Sequence, residues 1–294
     1  MKRENKALIL ALSAVLCWST IGSAFRLSLD FLPPHRLIFY AVFTAFLFTA
    51  IYIVVRGTWR TLFSFTSKQY LYSALVAFIN PFVYYLMLLH AYDILPTQVA
   101  GTINYIWPII LVLLSAVVLK QKIGFRALLA CLISFSGLVL IVTRGRFDTF
   151  SFSNPLGVIL ILCCSFFFAL FWILNMKDRR DEADKLILTY FFATLYLIPV
   201  QFFVHGSWAL PPLKGITGAV YIGIFEMGLT FILWLKALKF TTNTARTSNL
   251  VFLSPFISLF FISIFVGETI AFTTFAGLLL IVSGIILSHT KKIG

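Results

Sequence analysis

The chain has 294 residues, of which 61% are hydrophobic and 11% charged, with a mean hydropathy of +1.00 and a formal net charge of +13. A water-soluble domain of this size needs more polar surface than this composition supplies, so we expect an integral membrane protein whose partner is the lipid bilayer. The basic residues lie in short loops between apolar segments, which predicts a role in topology and argues against nucleic-acid binding.

Ten apolar segments are long enough to cross a bilayer as helices, since about 20 residues span the hydrocarbon core. They cover residues 7–25, 35–55, 70–90, 97–119, 126–143, 155–175, 186–204, 215–235, 246–266 and 270–288. The apolar runs are continuous rather than alternating, which excludes a transmembrane β-barrel and predicts an all-α fold. The first run is long for the apolar region of a signal peptide, so we expect a retained helix.

Orientation follows from the distribution of basic residues. In the ten-segment scheme, eighteen of the 23 lysines and arginines fall on one side of the membrane. Because basic loops stay in the cytoplasm, both termini are predicted to be cytoplasmic. The most highly charged loop, residues 177–185 (KDRRDEADK), is predicted to be a solvated cytoplasmic loop.

Two halves of the chain, residues 1–147 and 148–294, show weak internal similarity. A shift of 147 residues superimposes three pairs: Cys17 with Cys164, Pro108 with Pro255, and Ser136-Gly137 with Ser283-Gly284. A shift of 146 places Asn80 on Glu226. Each half holds five predicted crossings, so the second would have inverted topology. Inverted repeats that meet at the membrane midplane are typical of transporters.

Glu226 is an acid deep in an apolar segment, residues 218–238. A charged side chain at that depth costs about 2.5–3.5 kcal/mol on insertion scales. It is predicted either to carry a proton or pair with a cationic substrate group, or to form a neutral hydrogen bond between helices. Lys236 and Arg246 are candidate ion partners.

Prolines interrupt three predicted helices. Pro108 leaves the carbonyl of Asn104 without its helical donor, and Pro255 does the same in the ninth segment. Pro81 has the same effect in the third. Irregular backbone at membrane depth is tolerated where it is buried in protein or lines a wet cavity. We therefore predict hinge roles for Pro81, Pro108 and Pro255, with simple packing kinks as the alternative.

The polar and aromatic residues of the predicted core are candidate substrate ligands. Ring faces suit an apolar body and amide groups a polar head, whereas the alternative for each aromatic residue is packing or lipid contact. The candidates are Trp18, Ser19, Asn80, Tyr84, Asn104, Tyr105, Trp107, Trp172, Glu226, Thr230 and Asn249.

No metal or cofactor is expected. The four cysteines, Cys17, Cys131, Cys163 and Cys164, lie inside apolar segments, which suits neither a disulfide framework nor a zinc site. The sequence has no P-loop, so ATP is not expected as a direct energy source, and no HExxH motif. His90 and His205 lie at helix ends, so an intramembrane enzyme is the weaker alternative, alongside an uncoupled facilitator or channel.

Several short motifs occur in a specific order along the chain. They are Cys17-Trp18-Ser19-Thr20, Arg36, Asn104-Tyr105-Ile106-Trp107-Pro108, Leu253-Ser254-Pro255-Phe256, Gly267-Glu268 and residues 277–284. Together they resemble the drug/metabolite transporter superfamily, specifically its ten-helix EamA type. The run NYIWP followed by Lys120-Gln121-Lys122 is similar to the bacterial aromatic-amino-acid exporters of that superfamily. Glu226 has no counterpart in those exporters' motif, so their exact substrate does not transfer.

The resemblance implies a multi-pass secondary transporter of the bacterial inner (plasma) membrane, not an enzyme. It would export amino acids or related amphipathic small molecules by alternating access, with proton coupling through Glu226 left open. The fifth and tenth segments would brace the bundle at its periphery. Their small residues lack a strong GxxxG pattern, so we expect a monomer or a weak homodimer.

Overall fold

The computed structural model describes residues 3–95, 103–143, 145, 146, 148, 154–205, 211–266 and 272–289. Within these ranges the helices are α1 (Arg3–Leu29), α2 (Pro34–Val55), α3 (Ser67–Ala77), α4 (Tyr84–Ile94), α5 (Trp107–Val118), α6 (Phe125–Thr143), α7 (Pro155–Lys177), α8 (Glu182–His205), α9 (Leu213–Ile222), α10 (Leu229–Phe240), α11 (Thr244–Asn249), α12 (Leu253–Val266) and α13 (Phe272–His289). Two π-helical segments, Phe78–Val83 and Gly223–Gly228, join α3 to α4 and α9 to α10. Short 3-10 helices cover Trp59–Ser64 and Leu250–Phe252.

Several helical stretches are long and apolar enough to span a membrane. They are Arg3–Leu29, Pro34–Val55, Ser67–Leu88, Pro155–Lys177, Glu182–Val204 and Leu213–Phe240. Three apolar helices are shorter: Trp107–Val118, Phe125–Ile141 and Phe275–Ser288. An all-helical, multi-pass membrane fold is thus confirmed, and the count of ten crossings stays a prediction. Residues 97–102 and 270–271 of the predicted segments, and the Gly267-Glu268 motif, lie outside the described residues.

Small residues bring α6 and α13 into backbone contact. A Cβ atom added at Gly137 would lie 2.5 Å from the Gly277 carbonyl oxygen, and one added at Gly284 would lie 2.5 Å from the Ala130 carbonyl oxygen. Between these two points, the Ser134 hydroxyl donates to the Ile281 carbonyl at 3.2 Å. The small residues of the fifth and tenth segments therefore pack against each other within one chain.

Pro108 and Pro255 lie at the starts of helices, whereas Pro81 lies at a kink in the π-helical segment Phe78–Val83. Pro108 lies in the first turn of α5, and Pro255 is the third residue of α12, directly after a 3-10 turn. The Ser165 hydroxyl of α7 lies within hydrogen-bond distance of the Ile103 and Asn104 carbonyls, at 3.1 Å each, and of the Ile161 carbonyl in its own helix at 3.0 Å, so its one hydrogen is shared among them. A side chain from the other half of the chain thus replaces the backbone donor that Pro108 lacks.

The expectation of a solvated loop at residues 177–185 is wrong for residues 182–185, although Lys177 and Arg179 before them are exposed. Here α8 begins, and Glu182, Asp184 and Lys185 are only 3–5% exposed. The Lys185 ammonium donates to the Asn175 carbonyl at 2.9 Å, and Glu182 forms an ion pair with Lys239 at 2.8 Å. These charges are buried because neighbouring helices supply their partners, which composition alone does not reveal.

Candidate functional site

Four tryptophans from four helices meet at the centre of the bundle. The Trp18 ring of α1 lies 6.1 Å from Trp107 of α5, 6.3 Å from Trp172 of α7 and 5.3 Å from Trp234 of α10, measured between ring centroids. Trp172 and Trp234 are completely buried, and their indole N–H groups have no hydrogen-bond acceptor in the described structure. We call these four residues the tryptophan cluster.

Two further rings connect the tryptophan cluster to α4. Phe168 lies 4.9 Å from Trp107 and 5.4 Å from Trp172, each nearly edge-on. Tyr84 stacks on Phe168 at 4.9 Å, and Tyr85 follows at 4.9 Å from Tyr84. The aromatic surface therefore continues from the tryptophans to the helix that contacts Glu226.

Glu226 binds a tyrosine rather than a basic residue. The Tyr85 hydroxyl donates to its Oε1 at 2.7 Å, while Oε2 is shielded from solvent and has no donor among the described residues. Lys236 instead donates to the Tyr52 hydroxyl at 3.2 Å, and within the described chain Arg246 forms no ion pair with Glu226. The expectation of Lys236 or Arg246 as an ion partner is therefore wrong: Lys236 bonds to Tyr52, and the Arg246 Nε atom is buried without a partner in the described structure.

A π-helical segment, Gly223–Gly228, holds Glu226 in place. A Cβ atom at Gly223 would lie 2.5 Å from the Ala41 carbonyl oxygen, so this segment packs directly on α2. Side chains satisfy its irregular carbonyls: the Tyr190 hydroxyl donates to Met227 at 2.7 Å, and the Thr230 hydroxyl donates to Phe225. Insertions of this kind often occur at functional sites, where they redirect one side chain.

The other π-helical segment, Phe78–Val83, carries Asn80 and Pro81. Asn80 has extended backbone angles (φ −149°, ψ 126°), and the bond to Pro81 is cis. The Asn80 side chain is completely buried, and neither of its amide atoms has a partner in the part of the chain described. Asn249 at the end of α11 shares both properties. Such groups cost about 1–3 kcal/mol each when left unpaired, so they are candidate contacts for a polar solute.

The remaining predicted ligands divide into two groups. The Asn104 amide donates to the Tyr84 hydroxyl at 3.1 Å, which places Asn104 at the edge of the aromatic surface. Tyr105 is half-buried and packs against the hydrophobic core. In contrast, the Thr230 hydroxyl bonds to the Phe225 carbonyl of the adjoining π-helical segment, and the Ser19 hydroxyl donates to the Val15 carbonyl at 2.7 Å while lying 3.4 Å from the Ser254 hydroxyl of α12.

Sequence reasoning missed Trp234, Tyr85 and Phe168. Trp234 lies eight residues after Glu226. Because residues four apart are neighbours on a helix surface, this spacing puts both on one side of a regular helix. That signal was available in the sequence. Tyr85 and Phe168 carried no such signal, because each is one of many aromatic residues in apolar runs.

Polar contacts join the two halves of the chain at one end of the bundle. Arg56 pairs with Asp181 at 3.4 Å, the Thr61 hydroxyl donates to Asp184 at 3.1 Å, Arg180 donates to the Ser73 hydroxyl at 2.8 Å, and Arg3 donates to the Lys239 carbonyl at 2.9 Å. We call these contacts the end network. All its residues lie in the loops and helix ends that the basic-residue count predicts to be cytoplasmic.

Comparison with known proteins gives a consistent result. The model of the EamA-like transporter family matches residues 5–143 and again residues 155–290. An uncharacterized transporter of Archaeoglobus fulgidus is 26% identical over 299 residues, covering 97% of each chain. Protein PecM of Dickeya dadantii is 25% identical over 214 residues, covering 71% of this chain and 70% of that protein. A protein of known crystal structure shares the fold, with a TM-score of 0.80 and 18% identity over 97% of this chain and 98% of the other.

Proposed function

Because this chain belongs to the EamA-like transporter family of the drug/metabolite transporter superfamily, we propose that it is a secondary transporter that exports amino acids or related amphipathic solutes. The observation that carries this proposal is the tryptophan cluster with its neighbouring acid. Trp18 and Trp107 come from the first half of the chain, and Trp172 and Trp234 from the second. A site built by both halves changes shape when they move relative to one another.

We propose ten crossings arranged as two inverted repeats, residues 1–147 and 148–294, with both termini in the cytoplasm. The double match to the family model supports this arrangement. So does the α6–α13 contact: a shift of 147 residues converts the Gly137–Gly277 contact into the Ala130–Gly284 contact. The same shift maps Ser134 onto Ile281, the pair bonded between these two contacts. This exchange is what a two-fold axis that relates the two halves produces.

Alternating access supplies the transport mechanism in this proposal. The end network holds the two halves together at the predicted cytoplasmic end. Opening that end requires these contacts to separate while the halves rock about the central site. Pro81, Pro108 and Pro255 lie where helices restart, so hinge bending there would break few backbone hydrogen bonds.

Glu226 is the candidate for coupling to protons. Tyr85 donates to its carboxylate, and Tyr105 and Tyr190 are close enough to interact with it electrostatically. An acid in this setting can take a proton from one side of the membrane and release it to the other as access alternates. We place the protein in the bacterial inner (plasma) membrane as a monomer or weak homodimer, since α6 and α13 use their small faces within one chain.

Transport by the purified protein in liposomes tests this proposal. The assay measures uptake of radiolabelled amino acids and their decarboxylated amines, with a proton gradient imposed or absent, against protein-free liposomes. We expect uptake above the control for at least one solute. Absence of flux for every solute, together with hydrolysis of a lipid or peptide, would instead indicate the enzyme alternative.

A further inference from the structure

In the described part of the chain, the acid of the central site, Glu226, forms no ion pair. Glu226 Oε1 accepts a hydrogen bond from the neutral Tyr85 hydroxyl, and Oε2 has no donor in the described structure. The ion pairs Arg56–Asp181, Arg180–Asp178 and Lys239–Glu182 lie at the end of the bundle, away from it. A buried carboxylate with one oxygen that lacks a donor is costly when ionised, so a positively charged group is the complementary ligand.

The surface next to this acid also favours a cation. Trp107, Phe168 and Tyr84 form a continuous set of rings that reaches Tyr85, with centroids about one ring apart at 4.9 Å for each successive pair. Ring faces carry partial negative charge and attract ammonium groups, most strongly where water is excluded. Carboxylate and rings therefore select for the same ligand charge.

A carboxylate on the solute would meet neutral groups at the tryptophan cluster and at Asn80. In the described structure these are the unpaired indole N–H groups of Trp172 and Trp234 and the Asn80 amide, whereas the unpaired cationic atom Arg246 Nε belongs to α11. An amino acid would bring its own carboxylate into a partly desolvated site beside ionised Glu226, where like charges repel. A hydroxyl or carbonyl group can use the same neutral donors without this repulsion.

We propose that the central site selects protonated amines with an aromatic or apolar body over the amino acids from which they differ by one carboxylate. The amine would lie at Glu226 Oε2 and its body against the tryptophan cluster. This inference rests on the proposed transport function, because it names the substrate class of the same site. It also narrows that function, since decarboxylated solutes would be better substrates than zwitterions.

Three phenyl compounds separate the contributions of the two charges. Phenethylamine carries the ammonium group alone, phenylalanine carries both groups, and 3-phenylpropionate carries the carboxylate alone. Binding is measured with purified protein by quenching of indole fluorescence, which the tryptophan cluster provides. We expect phenethylamine to bind about tenfold or more tightly than phenylalanine, since one unfavourable charge interaction changes affinity by that order. We expect no saturable binding of 3-phenylpropionate.

Two variants assign the preference to Glu226. Glu226→Gln keeps the shape of the side chain and removes its charge, so it should reduce the preference for phenethylamine over phenylalanine to about twofold or less. Asp30→Asn removes the same charge from an exposed turn and should leave the preference unchanged. If Glu226→Gln fails to fold, the affinities of the unmodified protein for the three compounds still test whether the site prefers amines to amino acids.

Flux in liposomes separates this inference from the transport proposal. Preferential binding of phenethylamine without flux of either solute would refute transport and leave the ligand assignment in place. A second outcome is that phenylalanine is transported and binds as tightly as phenethylamine, or more tightly. That outcome would refute the ligand assignment and support transport. Absence of binding by all three compounds, or an unchanged preference in Glu226→Gln, would also overturn the ligand assignment.

Discussion

Adding one methyl group at Gly137 should destabilise the protein by separating α6 from α13. The new Cβ atom would lie 2.5 Å from the Gly277 carbonyl oxygen and 2.9 Å from the Leu280 Cβ atom. Ordinary contact begins near 3.4 Å, so the helices must separate by about 0.9 Å. The obstacle is backbone, which cannot rotate away as a flexible side chain can.

The expected magnitude follows from two opposing effects. Overpacking of this kind costs about 1–3 kcal/mol, and contact with a backbone oxygen places Gly137→Ala in the upper part of that range. Replacing a helical glycine by alanine returns about 1 kcal/mol. The net loss is about 1–2 kcal/mol, which corresponds to a decrease in melting temperature of about 2–6 °C for a chain of this size.

Thermal unfolding in detergent, followed by size-exclusion chromatography of heated samples, measures this loss. Gly284→Ala should cause a similar decrease, because its Cβ atom would lie 2.5 Å from the Ala130 carbonyl oxygen. Gly124→Ala is the matched control, since a Cβ atom there meets nothing within 4 Å. Melting of Gly137→Ala at or above the temperature of the unmodified protein would refute the backbone contact between α6 and α13.

Two further predictions concern the irregular helices and the topology. Ser165→Ala removes the hydroxyl that donates to the Ile103 and Asn104 carbonyls, so it should lower the free energy of unfolding by about 1–3 kcal/mol. The same melting assay measures this loss. Ser136→Ala, at an exposed position, is the control and should have little effect. If Ser165→Ala melts at the same temperature as the unmodified protein, Ser165 does not stabilise the backbone at Ile103 and Asn104. Cysteines introduced at position 68 and position 214 should react with a membrane-impermeant maleimide from opposite sides, the first from the cytoplasm; labelling of both from one side would contradict the proposed crossings.

The apolar runs predicted the positions of the helices more accurately than the burial and contacts of residues at the helix ends. Segments such as 35–55 and 155–175 closely match Pro34–Val55 and Pro155–Lys177, because helix length and hydropathy are local properties. Burial of Glu182 and Lys185 was missed, because their partners Lys239 and Asn175 belong to other helices. Charge in a short window gives no sign of such pairing.

The candidate site was predicted in composition but not in connectivity. Depth alone singled out Glu226, local motifs contain Trp18 and Trp107, and Trp172 was named only as a polar aromatic residue of the predicted core. The Tyr85 partner lies 141 residues away from Glu226 in the chain, so no local pattern links the two. The Ser165 donor likewise comes from the opposite half, although Pro108 indicated that a donor was needed.

The most direct test of the account compares two transport modes in Glu226→Gln. Proteoliposomes are loaded with a saturating concentration of the transported solute, and uptake of labelled solute is measured first by exchange without a proton gradient. Accumulation is then measured with a proton gradient and no internal solute. A transporter that couples through Glu226 should retain exchange and lose accumulation. Gradient-driven accumulation by Glu226→Gln at the level of the unmodified protein would contradict that role.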